Sequence, residues 1–253
     1  MPRFLRTLYE YFALYSSLSL LGLICLTWSV FALPAYFILP ATAGRALGRR
    51  GIMGGFRLYT WSLAITRVDR LDLRAIDTLK GGPPLILAPN HPSLIDAALI
   101  LGRHPNLVCV MKAALMKNVF LGSGSRLARY VRNDSPRQMV KESVAHLQAG
   151  AILLLFPEGT RTTHAPINSL VGSVGLIAKH ANVPVQTLVI ETDSPFLSKG
   201  WPLFKRPDLP ITYRVRLGRR FDPPSDVPAF TAQLDQYYRQ ALKDALQSRW
   251  LKS

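Results

Sequence analysis

Hydrophobic and polar residues divide the chain into three regimes. From Tyr11 to Gly44 no charged residue occurs, and Leu, Phe, Ile, Trp and Tyr dominate. A helix needs about 20 apolar residues to cross a bilayer core, so this run predicts membrane attachment by residues 1–44. Pro34 and Pro40 interrupt its second half, and each proline removes a backbone donor. Two shapes fit, one tilted crossing or a helix–break–helix that enters and leaves the same leaflet. Residues 45–68 then read as a basic amphipathic helix, with Arg45, Arg49, Arg50 and Arg57 among Leu47, Ile52, Met53, Phe56, Leu58 and Trp61. Such a stretch lies on an anionic membrane surface or is an ordinary surface helix.

From residue 69 to residue 253 the pattern is that of a separate domain. Short apolar runs at 85–88, 107–111, 151–156 and 185–191 predict strands without period-2 alternation. Helical patterns at 93–101, 138–148 and 170–180 separate them, and Gly150 is placed to end the second. Buried strands alternating with helices predict an α/β fold, a mostly parallel central sheet flanked by helices. Ligands in such folds bind beyond the carboxyl ends of the strands. Ile211–Leu217 alternates apolar residues with Arg214 and Arg216, as an edge strand does, and 229–250 predicts a final helix.

Charge sharpens this picture. The 253 residues carry 31 Lys and Arg against 15 Asp and Glu, a net charge of +16, with 49% hydrophobic residues. Disorder is excluded over most of the chain, and the charge implies an anionic partner. Basic residues flank the apolar run on both sides, Arg3 and Arg6 before and Arg45 to Arg57 after. That suits a hairpin with both ends cytoplasmic. A cleaved leader ending at Ala41-Thr42-Ala43 is the competing reading, and the run is long for one. Cys25 and Cys109 form no disulfide framework. No Cys/His spacing suggests a metal and no nucleic-acid module is present.

Two segments at predicted strand ends carry candidate chemistry. In Asn90-His91-Pro92-Ser93-Leu94-Ile95-Asp96 a histidine and an aspartate stand five apart across a strand-to-helix turn. Imidazole titrates near neutrality and can take a proton from an attacking hydroxyl, while a carboxylate on its far nitrogen fixes the tautomer. Ser93 lacks the glycine-flanked elbow of a hydrolase nucleophile. In Phe156-Pro157-Glu158-Gly159-Thr160-Arg161, Gly159 permits a tight turn with free N–H groups for a phosphate or an oxyanion. Arg161 suits a bidentate phosphate contact. Glu158 has two readings, a loop brace paired with an arginine or a substrate contact.

Together these segments resemble the glycerophospholipid acyltransferases, the enzymes that acylate lysophosphatidic acid, over roughly residues 60–220. The resemblance implies His91 as catalytic base and Asp96 as its partner, with Glu158, Gly159, Thr160 and Arg161 in the acceptor site. A glycine-led stretch from Gly124 to Arg132 is similar to a third family motif, and Lys112 stands where the family often carries a lysine. Both Arg132 and Lys112 are thus candidate substrate contacts. The implied reaction moves an acyl group from acyl carrier protein or coenzyme A, as co-substrate and without a cofactor, to a lipid hydroxyl. It would run at a bacterial-type inner membrane with the catalytic domain on the cytoplasmic face, membrane lipids being the partners. Two departures bear on the acceptor. Leu170-Val171-Gly172-Ser173 stands where members acting on lysophosphatidic acid carry Phe-Lys-x-Gly, and Thr187 replaces a second proline. A specialised lipid acceptor and thioester hydrolysis are the alternative activities, and a binding-only membrane protein would leave both motifs without a purpose.

Overall fold

The computed structural model describes residues 3–202 and 205–250. The remaining positions of the predicted anchor and of residues 69–253 lie outside the described residues.

The apolar run forms one continuous helix, α1 (Arg3–Ile38), which carries Pro34 within it. At 36 residues it is about 54 Å long. The break comes at Leu39 and Pro40, after which the basic segment forms α2 (Ala41–Ile65). The two run antiparallel. Tyr9 donates from its hydroxyl to the Thr66 carbonyl at one end, and Trp28 lies against Gly51 further along. The uncharged run is not itself split into two arms: the break falls at its end, and the second arm of the hairpin is the basic segment, α2. The break needs Pro40, because Pro34 loses one hydrogen bond inside a helix long enough to bridge it.

The domain that follows is a seven-stranded sheet. In chain order come β1 (Asp69–Asp72), α3 (Arg74–Asp77), β2 (Ile86–Pro89), α4 (Asp96–Leu101) and β3 (Leu107–Met111). After a 3-10 turn over Ala113–Lys117 come α5 (Gly122–Leu127), β4 (Val131–Arg132), α6 (Pro136–Gln148), β5 (Ile152–Leu154), α7 (Ser173–Ala181), β6 (Val185–Thr192), β7 (Ile211–Phe221) and α8 (Val227–Trp250). The spatial order is β1-β7-β6-β2-β5-β3-β4. Every pairing is parallel except β6 with β7. Helices α2, α4 and α5 pack on one side, with α1 outside them, and α6, α7 and α8 cover the other. This is the α/β architecture that the apolar runs predict.

The central strands read as continuous apolar runs because both faces are covered; all four residues of β2 are buried. Gly150, with φ +82, closes α6 in a Schellman turn: its N–H reaches the Leu147 carbonyl and that of Ala151 reaches His146. One expectation needs correcting. The Ile211–Leu217 segment is not at the sheet edge but lies between β1 and β6. Its alternation reports one bare face, on which Arg214 and Arg216 are exposed, and a bare face is not a bare edge.

The hairpin is built into this core. Leu14 of α1 belongs to the main hydrophobic cluster, Glu10 is buried and pairs with Arg6 and Arg206, and Ser29 donates to the Phe120 carbonyl at 2.7 Å. Gly48 of α2 approaches the Leu127–Ala128 backbone so closely that a Cβ there would lie 2.4 Å from Ala128 N. Buried Arg49 donates from Nε to the Ala128 carbonyl, and its other nitrogens meet Asn106 Oδ1 and His146 Nδ1.

Candidate active site

The carboxyl ends of β2 and β5, adjacent in the sheet, place the two sequence segments side by side. β2 ends at Pro89, and Asn90 extends its pairing with β6 through its side chain: the amide donates to the Ile190 carbonyl and its oxygen accepts the Ile190 N–H at 2.7 Å. This buried residue fixes where the next one, His91, emerges.

His91 Nδ1 lies 2.9 Å from Asp96 Oδ2. The same oxygen accepts the Ser93 N–H at 2.7 Å. Asp96 opens α4 and is fully buried. Burial pushes its carboxyl pKa up, and the His91 and Ser93 hydrogen bonds oppose that shift. An ionised Asp96 accepts from Nδ1–H, which leaves Nε2 as the basic nitrogen. The ring stacks on Phe156, with centroids 3.8 Å apart, and the side chain is 16% exposed. The imidazole is therefore held on one face by Phe156 and at Nδ1 by Asp96, and is partly exposed.

The second segment turns at Gly159, whose φ of +66 favours glycine. Its N–H bonds back to the Phe156 carbonyl, whereas the N–H groups of Thr160 and Arg161 meet no acceptor among the described residues. Glu158, 5% exposed, ties the loops together. Its Oε1 accepts from the His91 N–H at 2.9 Å and from the Thr162 hydroxyl at 2.8 Å, and its Oε2 accepts the Asn168 N–H at 2.9 Å. It braces the loop as one of its readings expected, but through backbone and hydroxyl donors rather than an arginine. The Thr162 N–H closes the join by donating to the His91 carbonyl at 2.8 Å.

Arg161 donates from Nη1 to the carbonyls of Leu197 and Ser198, at 2.8 and 3.0 Å. The same Leu197 carbonyl accepts the Leu94 N–H, so the loop after β6 is pinned to both motifs. Nε and Nη2 of Arg161 have no hydrogen-bond partner among the described residues. Lys112 follows β3 and is exposed. Arg132 ends β4, exposed and paired with Asp134. Since β2, β5, β3 and β4 are successive parallel neighbours ~4.8 Å apart, Lys112 and Arg132 continue the row of strand ends away from His91. His91, Asp96, Glu158, Gly159, Thr160 and Arg161 form one cluster; Lys112 and Arg132 stand roughly 10 and 14 Å along it.

The departures in the sequence have distinct places. Val171 lies beside Gly159, 3.9 Å from where a Cβ would be, and its N–H holds the Pro157 carbonyl; the flank of the turn is apolar. Thr187 is buried in β6 and donates to the Arg219 carbonyl, a contact within the sheet. Asn90, Phe156, Thr162 and Asn168 shape the site, yet sequence reasoning gave them no role.

A buried acid is hydrogen-bonded to an imidazole whose loop is joined through Glu158 to a glycine turn, and the Thr160 and Arg161 N–H groups of that turn meet no acceptor among the described residues. The chain matches, over residues 70–191, the family model described as Acyltransferase. It is similar to the 1-acyl-sn-glycerol-3-phosphate acyltransferase of Pseudomonas aeruginosa, 24% identical over 208 residues that cover 80% of this chain and 79% of that one. Its fold is that of the crystal structure of the 1-acyl-sn-glycerophosphate (LPA) acyltransferase, PlsC, from Thermotoga maritima. The TM-score is 0.69 at 18% identity, covering 96% of this chain and 98% of the other.

Proposed function

We propose that the protein moves an acyl group from a thioester, on acyl carrier protein or coenzyme A, to a hydroxyl of a lysophospholipid or related lipid. His91 Nε2 takes the proton of the acceptor hydroxyl as its oxygen attacks the thioester carbonyl. The Thr160 and Arg161 N–H groups face the oxyanion that forms. The carbon–sulfur bond then breaks and the thiolate leaves with the proton carried by His91. Asp96 keeps Nδ1 protonated throughout and stabilises the imidazolium. General-base and oxyanion contributions are each worth roughly 10²–10⁴-fold. Arg161, and further along Lys112 and Arg132, hold the acceptor's anionic headgroup. The apolar Val171 in place of a lysine weakens that hold and favours an acceptor with less charge than a phosphomonoester.

The setting is a membrane surface. Among the described residues, the span Phe4–Ile38 of α1 is long and apolar enough to cross a bilayer. However, α1 lies against α2, and a crossing would draw Arg45, Arg50 and Arg57 into hydrocarbon at several kcal/mol each. The outer face of the hairpin instead beds in one leaflet, with the site at its margin on the cytoplasmic side.

The observation that carries the reading is the His91–Asp96 pair joined through Glu158 to the Gly159 turn. The test is a screen of purified protein with acyl carrier protein and coenzyme A thioesters against several lyso-lipids, read by mass spectrometry. An acyl-lipid product that His91→Ala fails to make is expected. Thiol release at full rate without an acceptor would show a hydrolase instead.

A further inference from the structure

Beyond the β4 edge of the sheet, away from the His91 cleft, lies a cavity of about 490 Å³. The hairpin break forms one wall with Tyr36, Thr42 and Arg45; α5 and β4 supply Arg126, Arg129 and Arg132. Glu142 and His146 of α6 close the far side. Glu142 is the single carboxylate in the lining, and it accepts from Gln138 Nε2. Among the described residues Arg45, Arg126 and Arg129 have no carboxylate partner; Arg129 instead stacks on Tyr36, 4.8 Å from the ring centroid. Burial and the nearby Arg49 and Arg45 guanidiniums hold the His146 pKa down to about 4, so it adds no positive charge near neutrality. Arg129 also donates to the Tyr36 hydroxyl at 3.3 Å. Three guanidiniums with no carboxylate partner among the described residues, around one concavity, call for an anion, and the planar forks suit phosphate oxygens.

The neighbours identify the source of that phosphate. Phe37 and Ile38, at the hairpin tip beside the cavity, are 77% and 76% exposed. Val30, Phe31 and Leu33 continue this bare apolar face along α1. A soluble acidic protein would leave it in water, whereas a lipid brings acyl chains to the tip and a phosphate to the arginines. The cavity also has the size of a headgroup rather than of a helix. We propose that this cavity binds the phosphate of an anionic membrane phospholipid through Arg45, Arg126 and Arg129, and that it shares only Arg132, on its lining, with the row of cations assigned to the acceptor headgroup. The bound lipid fixes the depth and azimuth of the hairpin, and so presents the cleft to the bilayer. The proposal uses the membrane seating of the hairpin and no step of the acyl transfer.

The test measures binding of the full chain to vesicles of phosphatidylcholine alone and of phosphatidylcholine mixed with phosphatidylglycerol. Replacing Arg45→Ala with Arg126→Ala should lower affinity for the mixed vesicles about tenfold or more, at ~1 kcal/mol per charge near the surface, and leave binding to the neutral ones. Thr42→Glu, which puts an acid into the cavity and deletes nothing, should do the same and covers the case in which the double variant misfolds. Arg219→Ala with Arg220→Ala removes equal charge from β7 and should have a clearly smaller effect. Equal losses from the two pairs, or mixed-vesicle binding that Thr42→Glu leaves intact, overturn the site. Two further outcomes also overturn it: inorganic phosphate binding that depends on Arg45 and Arg126 while vesicle binding does not, and loss of acyl carrier protein binding alone. Acyl transfer by these variants in detergent micelles should persist, so failure here is distinguishable from failure of the catalytic reading.

Discussion

Glu158 Oε1 accepts the backbone N–H of His91 at 2.9 Å, so the loop that presents His91, the proposed base, is held by a carboxylate from the loop that presents the glycine turn. All three of its partners are donors. In Glu158→Gln one amide oxygen replaces two acceptors, and the NH₂ group faces an N–H or O–H. An unmet buried donor costs about 1–3 kcal/mol. We expect a lower melting temperature and a turnover reduced roughly tenfold or more through misplacement of His91. Wild-type turnover with wild-type melting would remove Glu158 from the positioning of the base.

Asp96→Asn tests the charge. Oδ2 accepts from both His91 Nδ1 and the Ser93 N–H, so an asparagine turns its oxygen to them, keeps the tautomer, loses the negative charge that stabilises the imidazolium, and buries its NH₂ where Oδ1 has no partner among the described residues. Turnover should fall by about 10²–10⁴-fold with the fold retained. In a His91→Ala background the same change should cost almost nothing more, because the two residues act as a unit. Additive losses would show that Asp96 acts independently of the ring.

Gly48→Ala addresses the seam between hairpin and domain. The added methyl meets the backbone at Leu127 and Ala128, at 2.4 to 2.6 Å, and backbone cannot rotate away. Overpacking of this kind costs about 1–3 kcal/mol. The expected result is a lower melting temperature in detergent, whereas Gly54→Ala, with nothing within 4 Å, should leave it unchanged or raised.

Asp69 in β1 gives a pH signature. Burial first, and then the charge of Asp193, push its carboxyl up to about 7. The unfolded group titrates near 3.8. Between those values the unfolded chain releases a proton that the folded one keeps, so stability falls as pH rises from about 4 to about 7 and is level beyond. The loss is on the order of 4 kcal/mol. Asp69→Asn should remain neutral throughout, so its advantage over the wild type should grow across that interval. Melting curves at pH 5 and pH 8 check it, and an advantage that does not change with pH would contradict the assignment.

What the chain disclosed beforehand follows the range of each interaction. The His91–Asp96 pair was legible because its members are five residues apart and bond across one turn. The core strands were legible because burial on both faces writes an unbroken apolar run. Asn90 escaped notice since its partner, Ile190, lies a hundred residues on. β1 reads Asp-Arg-Leu-Asp, polar enough to pass for a loop, and becomes a strand only by pairing with distant β7. The Gly-Ser-Gly-Ser of α5 is poor helix material. Its glycines are there for access: a Cβ on Gly124 would strike the Trp28 ring, and one on Gly122 the Met116 carbonyl.

The way α1 is fastened has a practical outcome. Because Leu14 sits in the main core while Glu10 and Ser29 grip the domain at separate points, cutting away the first 44 residues would tear out a structural beam rather than cast off a mooring. A water-soluble version for crystallisation or assay should keep the beam and repaint only its outward side, at positions such as Phe12, Phe31 and Phe37.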